Sequence, residues 1–148
     1  MERSNSKVYF SMFGDHFPID LISDLLGLKP TCSYYKGELI PENPNIRRIK
    51  TMYRKETVWE IGINYEETYD ITDQINQVIN QLNNKEHTII ELCKEFKLQC
   101  LFMIVMIINE GETPATYINK QFIKLANMLD AEIHFDIYAN PYKSSFED

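Results

Sequence analysis

The sequence has few residues of the kinds that staple a chain or do acid–base chemistry. Only three cysteines occur, Cys32, Cys93 and Cys100, an odd number at irregular spacing. They make no disulfide framework, contain no C-x-x-C, and none has a histidine at zinc-ligand spacing. They read as buried free thiols. Histidine is as scarce, with His16, His87 and His134 scattered along the chain. No G-x-S-x-G surrounds Ser11, Ser23 or Ser33, and no H-E-x-x-H is present, so hydrolase signatures are missing. Positive charge is in deficit: 15 Lys and Arg stand against 22 Asp and Glu, a formal net charge of −7. That field repels phosphate, which argues against general binding of nucleic acid or anionic membranes and permits a basic partner. The longest apolar run, Cys100 to Ile108, is too short to span a bilayer. No apolar signal-peptide core follows Met1 to Lys7. The expectation is a soluble cytoplasmic protein.

What is present is enough for a core. The chain has 148 residues, 44% of them apolar and 12% aromatic, which fits one domain over 1–148 with polar ends, 1–6 and 141–148, expected to fray. Val8, Phe10 and Met12 alternate with Tyr9, Ser11 and Phe13, predicting a strand. Gly14-Asp15 ends it. Pro18 suits a first helical turn, Ile19, Ile22, Leu25 and Leu26 follow at helical spacing, and Gly27 is a natural C-terminal cap. Leu28 to Tyr35 reads as a second strand, and residues 37–48 as loop. Ile49 to Tyr53 and Thr57 to Tyr65 read as strands or a hairpin. In the latter, Thr57, Trp59, Ile61 and Ile63 share one face, and Val58, Glu60, Gly62 and Asn64 the other.

Asp70 is placed to cap a helix whose apolar stripe is Ile71, Ile75, Val78, Ile79 and Leu82, with Gln74, Asn76, Gln77, Asn80 and Gln81 on its polar side. A helix from Glu86 turns Ile89, Ile90, Cys93 and Phe96 inward. Leu98 to Ile108 is apolar on both parities, as in a central strand covered on both faces, with helices on one side and another surface on the other. After a turn at Gly111 to Pro114, Ile118, Phe122, Leu125, Ala126 and Leu129 mark a helix. Ala131, Ile133, Phe135 and Ile137 then alternate with Glu132, His134, Asp136 and Tyr138 as a half-buried strand. Strand, helix and strand recur at 7–35 and 98–138. This predicts an α+β fold: a two-layer sandwich of a mixed or antiparallel sheet with helices mainly on one face, built from ferredoxin-like βαβ halves.

The run Tyr9 to Asp15, then Ile22 to Thr31, then Lys36-Gly37, with Trp59 in the middle strand and Ala131 to Tyr138 near the end, resembles a bacterial family catalogued as domain of unknown function 4279. The likeness extends over nearly the whole chain. It implies no catalytic residue. Some relatives look like immunity proteins encoded beside secreted toxins, which implies a protein partner.

Four groups of residues bear on function. Glu132, His134, Asp136 and Tyr138 share one side of the last strand, where a His between carboxylates suits a metal or general base. Residues two apart on a flat strand diverge, however, so the solvated face of a strand is the stronger reading, with Asp15 and His16 as conceivable further contributors. Arg47, Arg48, Lys50, Arg54 and Lys55, with Tyr53, form the one basic cluster, suited to phosphate or to an exposed hairpin guarding a sheet edge. Tyr34, Tyr35, Tyr53, Trp59, Tyr65 and Tyr69 concentrate in the middle third; Tyr34 and Tyr35 point to opposite faces, and Trp59 reads as core. Glu56, Glu60, Glu66, Glu67 and Asp70 bracket the same region. Tyr34, Tyr35, Tyr53, Glu56, Glu60, Tyr65, Glu66 and Glu67 are therefore the candidate partner-binding residues. The expected function is a non-catalytic protein-binding module, concretely an immunity protein covering a basic toxin, with no cofactor and no metal. The alternatives are a metal-dependent or hydrolytic enzyme on the final strand, and a homo-oligomer that covers the doubly apolar strand.

Overall fold

The computed structural model describes residues 3–45 and 50–141. Its elements run β1 (Asn5–Gly14), α1 (Ile19–Leu26), β2 (Cys32–Tyr34), β3 (Thr57–Glu67), α2 (Thr72–Leu82), α3 (Glu86–Phe96), β4 (Gln99–Ile108), α4 (Lys120–Met128) and β5 (Glu132–Ala139). The strands form one mixed sheet in the order β2-β3-β1-β4-β5. β3 is antiparallel to both β2 and β1, β4 is antiparallel to β1, and β5 runs parallel to β4. β1 and β2 are therefore parallel with β3 inserted between them, while β4, α4 and β5 make a direct crossover unit. The fold is α+β.

Side-chain parity decides the layers, because successive strand residues point to opposite faces. Val8, Phe10 and Met12 of β1, Trp59 and Ile61 of β3, and Cys100, Phe102, Ile104 and Met106 of β4 are all buried on one face. Helices pack on that face through Ile19, Ile22 and Leu26, through Ile75, Val78 and Leu82, through Ile89 and Leu92, and through Phe122, Leu125 and Ala126. Phe10, Phe102 and Phe122 stack in series, with ring centroids 5.0 and 4.9 Å apart. Trp59 is core, and its Nε1 donates to Ser23 Oγ at 3.0 Å, which joins β3 to α1.

Local signals account for most boundaries. Gly27 takes the left-handed conformation that ends α1 and donates to the Ser23 carbonyl. The Asp70 carboxylate accepts from the Thr72 amide at the start of α2. Asn119 caps α4 by accepting from the Phe122 amide at 2.9 Å.

Several expectations need correction. The second strand is only Cys32–Tyr34. Upstream, the predicted run includes Pro30, which has no amide to give a ladder. Ile49 lies outside the described residues, and 50–54 form no strand. They pair instead as a ribbon with 37–40, through Ile40 to Met52 and Gly37 to Arg54, each 2.9 Å. Gln74, assigned above to the polar side of α2, is buried. It donates to the carbonyls of Ser6 (2.8 Å) and Asn64 (3.3 Å) and accepts from the Ser6 hydroxyl, at the bulge that shifts the β1–β3 register between Ser6 and Val8. Nor is β4 covered on both faces by the described residues: the core includes only its Cys100, Phe102, Ile104, Val105 and Met106, and Leu101, Met103 and Ile107 remain partly open. On β5, Ile133 is half-buried, but Phe135 and Ile137 are 44% and 53% exposed, because this is an edge strand flanked only by β4.

Candidate functional site

Helices α1 to α4 contribute to the core on one face, and among the described residues no helix lies on the other face of the sheet. Register places its side chains in rows. One row runs Gly62, Tyr9, Met103, His134. A second runs Cys32, Glu60, Ser11, Leu101, Glu132. A third passes from Lys7 through Val105 to Asp136, and a fourth from Tyr34 through Val58 and Phe13 to Gln99. The face thus has an apolar and aromatic middle on β1 and β4, with carboxylates on β3 and β5 to either side. At roughly 4.8 Å per strand, Glu60 and Glu132 stand about 14 Å apart.

Two groups that look separate in sequence meet here. Tyr34, Glu60 and Tyr65 from the candidate partner-binding set share this face with Glu132, His134, Asp136 and Tyr138. Tyr9 lies among them. Burial, and then the nearby Glu60 carboxylate, push its phenol up to about 12, with smaller contributions from Tyr34, Asp136 and Tyr65. Glu60 is itself half-buried, and that burial raises its carboxyl above the usual range, partly offset by Lys7. The Lys7 ammonium lies 5.3 Å from the Tyr9 ring and 5.8 Å from the Tyr65 ring. The Arg54 guanidinium stacks 3.9 Å over Tyr34. Burial raises the Tyr34 phenol, and Arg54 opposes the rise.

Most of the other partner-binding candidates lie elsewhere. Tyr35 faces the helix layer, where its hydroxyl accepts from the Ile19 amide at 3.2 Å. Tyr53 is exposed on the 50–54 ribbon. Glu56 sits at the β1–β3 end of the sheet beside Lys55 and Lys97. Glu66 is exposed at the far end of β3. Glu67, also exposed and 3.9 Å from Arg3, stands in the row Glu67, Asn5, Ile107, Tyr138 and so shares the helix-free face at its end.

The polar side of β5 pairs within itself. His134 Nε2 is 3.3 Å from Glu132 Oε2, and the Tyr138 hydroxyl donates to Asp136 Oδ2 at 2.8 Å. That bond raises the Tyr138 phenol. Asp15 instead pairs with Lys36, which holds its carboxyl below the usual range, and His16 approaches Asp15 at 4.0 Å. Among the described residues no group of three or more His, Cys, Asp or Glu converges as metal ligands.

Arg47 and Arg48 lie outside the described residues. The described members of the basic cluster do not converge, since Arg54 stacks on Tyr34 while Lys55 lines a shallow depression with Asp15, Glu56 and Lys97. Cys32 is exposed, against the expectation of a buried thiol, because β2 is an edge strand and this side chain faces away from the helices.

The whole constellation lies within a stretch that matches one family model. The chain matches the model for a domain of unknown function, DUF4279, over residues 4–140. The chain belongs to the DUF4279 family. No curated protein and no solved structure matches it. The DUF4279 match spans all five strands, so the helix-free face is part of the family's domain.

Sequence reading missed Lys7, Tyr9, Leu101, Met103, Val105 and Ile107 as members of this face. The signal is present in β4, whose second apolar parity, Leu101 to Ile107, lies on this face. Among the described residues no helix is long and apolar enough to cross a membrane.

Proposed function

We propose that the chain is a non-catalytic protein-binding module that docks its partner on the helix-free face of the sheet. The observation that carries this reading is a sheet face that no helix among the described residues covers, with a half-buried apolar and tyrosine-containing middle between Glu60 on one side and Glu132 and Asp136 on the other. Tyrosine, methionine and branched aliphatics supply buried area at an interface core, and rim charges select the partner by sign. With a formal net charge of −7, the favoured partner is basic. The concrete form of the proposal is an immunity-type protein that covers a basic toxin in the cytoplasm. Glu60, Asp136, Tyr9, Tyr34 and Tyr65 are the contact residues, around Leu101 and Met103.

The test is co-purification of the chain with the product of the neighbouring gene, repeated with Met103→Glu. A charge in the middle of the face should weaken binding tenfold or more, about 1.4 kcal/mol, a modest loss for a central anchor. The proposal fails if no neighbouring product is toxic and none binds, or if Met103→Glu binds like the wild type. A second copy of the chain is the other occupant the half-buried apolar middle suits. Light scattering across a concentration series separates the two, because self-association through this face would be lost in the same variant.

A further inference from the structure

On the opposite side of β4 the chain brings two of its cysteines together. Cys93 lies in the last turn of α3. Lys97 adopts the left-handed conformation and reverses the chain, with its own amide and that of Leu98 bonded to the Cys93 carbonyl. Cys100 is then the second residue of β4 and points into the helix layer. The two sulfurs end 3.4 Å apart. A disulfide requires about 2.05 Å, so closure needs little more than an ångström of movement. Cys100 is buried, whereas Cys93 is only half-buried. Both line a cleft of about 580 Å³ with Lys94, Asp130, Glu132 and His134 around it.

We propose that Cys93 and Cys100 are a peroxide-oxidisable dithiol, with Cys93 the attacking thiol and Cys100 the resolving one. The more accessible member lines the cleft with the buried member 3.4 Å from its sulfur, which is the arrangement a resolving thiol needs. The hydrogen bond between the two sulfurs holds the Cys93 thiol below its ordinary range, against the opposing effect of burial, and raises the Cys100 thiol. Cys93, the more accessible of the two and the one lining the cleft with Lys94, is the member that supplies thiolate.

The chemistry balances with one hydroperoxide. The Cys93 thiolate attacks a peroxide oxygen, the O–O bond breaks, and Cys93 becomes a sulfenic acid. The departing alkoxide or hydroxide takes a proton and leaves as alcohol or water. Cys100 sulfur then attacks the Cys93 sulfur; the S–S bond forms, the S–O bond breaks, and the hydroxide leaves as water with the Cys100 proton. Two thiols have lost two electrons, and the peroxide bond has gained them. The product ties the end of α3 to β4.

The experiment uses the full chain with Cys32→Ser, which removes the exposed third thiol. Protein is treated with equimolar hydrogen peroxide, denatured and alkylated with iodoacetamide, with and without prior dithiothreitol. Before oxidation both thiols should alkylate; afterwards neither should, and dithiothreitol should restore both. Peptide mapping should recover Cys93 linked to Cys100 in one chain. The proposal is overturned if both thiols still alkylate, if linkage occurs only between chains, or if Cys93 passes to an acid that dithiothreitol does not reverse. In a Cys100→Ser chain, peroxide should leave Cys93 as a sulfenic acid trapped by dimedone, and absence of that adduct counts against its role as attacker.

Discussion

Gly62 stands directly across from Tyr9 on the neighbouring strand. A Cβ built at Gly62 would lie 2.4 Å from both the Tyr9 Cβ and the Val8 carbonyl oxygen. No side chain can be accepted there unless the two strands separate. The first prediction is that Gly62→Ala destabilises the fold by about 1–3 kcal/mol, the usual cost of overpacking. A lower urea midpoint at unchanged slope is the expected readout, and an unchanged midpoint refutes it.

Gln74 is the second test. It is the one polar side chain of α2 buried against the sheet, and it satisfies three groups at the β1–β3 bulge. Gln74→Ala leaves the Ser6 hydroxyl and two carbonyls short of partners, so a loss of about 1–3 kcal/mol is expected. Hydrogen exchange should show the accompanying opening at Ser6 and Asn64 rather than throughout the sheet. Uniform protection would mean that the bulge holds without this side chain.

The fate of Gln74 shows where sequence reading stops. Period and parity placed every helix and the long strands, because burying an apolar stripe forces a definite phase. Gln74 is polar, sits beside Ile75, and gives no sign that a bulge lies over it. The same limit governs the site. Glu60 and Asp136 lie on strands that are not adjacent, and only the sheet order puts Tyr9 between them. That order depends on pairing between segments far apart in the chain, which no local spacing records. The Cys93–Cys100 approach was hidden for another reason: it depends on the left-handed turn at Lys97, a residue with no glycine-like preference for it.

The third prediction concerns acid. Burial raises the Glu60 carboxyl in the folded chain above its ordinary value of 4.5. The unfolded chain therefore releases this proton first as pH rises, and stability falls from pH 4.5 upward until the folded group has also ionised. Glu60→Gln should be more stable than the wild type at pH 7 and equal to it below about pH 4. Urea unfolding at the two pH values decides the matter. A variant less stable at pH 7 would mean that the Lys7 attraction outweighs desolvation.

The same carboxylate contributes to the alkaline limb, after burial. Tyr9 is held protonated to about 12 by burial first and by Glu60 second, whereas an unperturbed tyrosine releases its proton near 10. In the unfolded chain Tyr9 ionises at that lower value, so its contribution to stability is complete below pH 10 and is lost as pH climbs from 10 to 12. Two substitutions separate this effect from general alkaline unfolding. Tyr9→Phe removes the titrating group and should make the decline between pH 10 and 12 shallower. Glu60→Gln leaves the phenol in place but removes the charge, so carbon NMR of labelled tyrosine rings should find the Tyr9 resonance titrating lower than in the wild type, yet still above 10 because burial remains. If Tyr9 titrates like an exposed tyrosine in the wild type, Tyr9 is open to water and the packed middle assigned to this face is wrong.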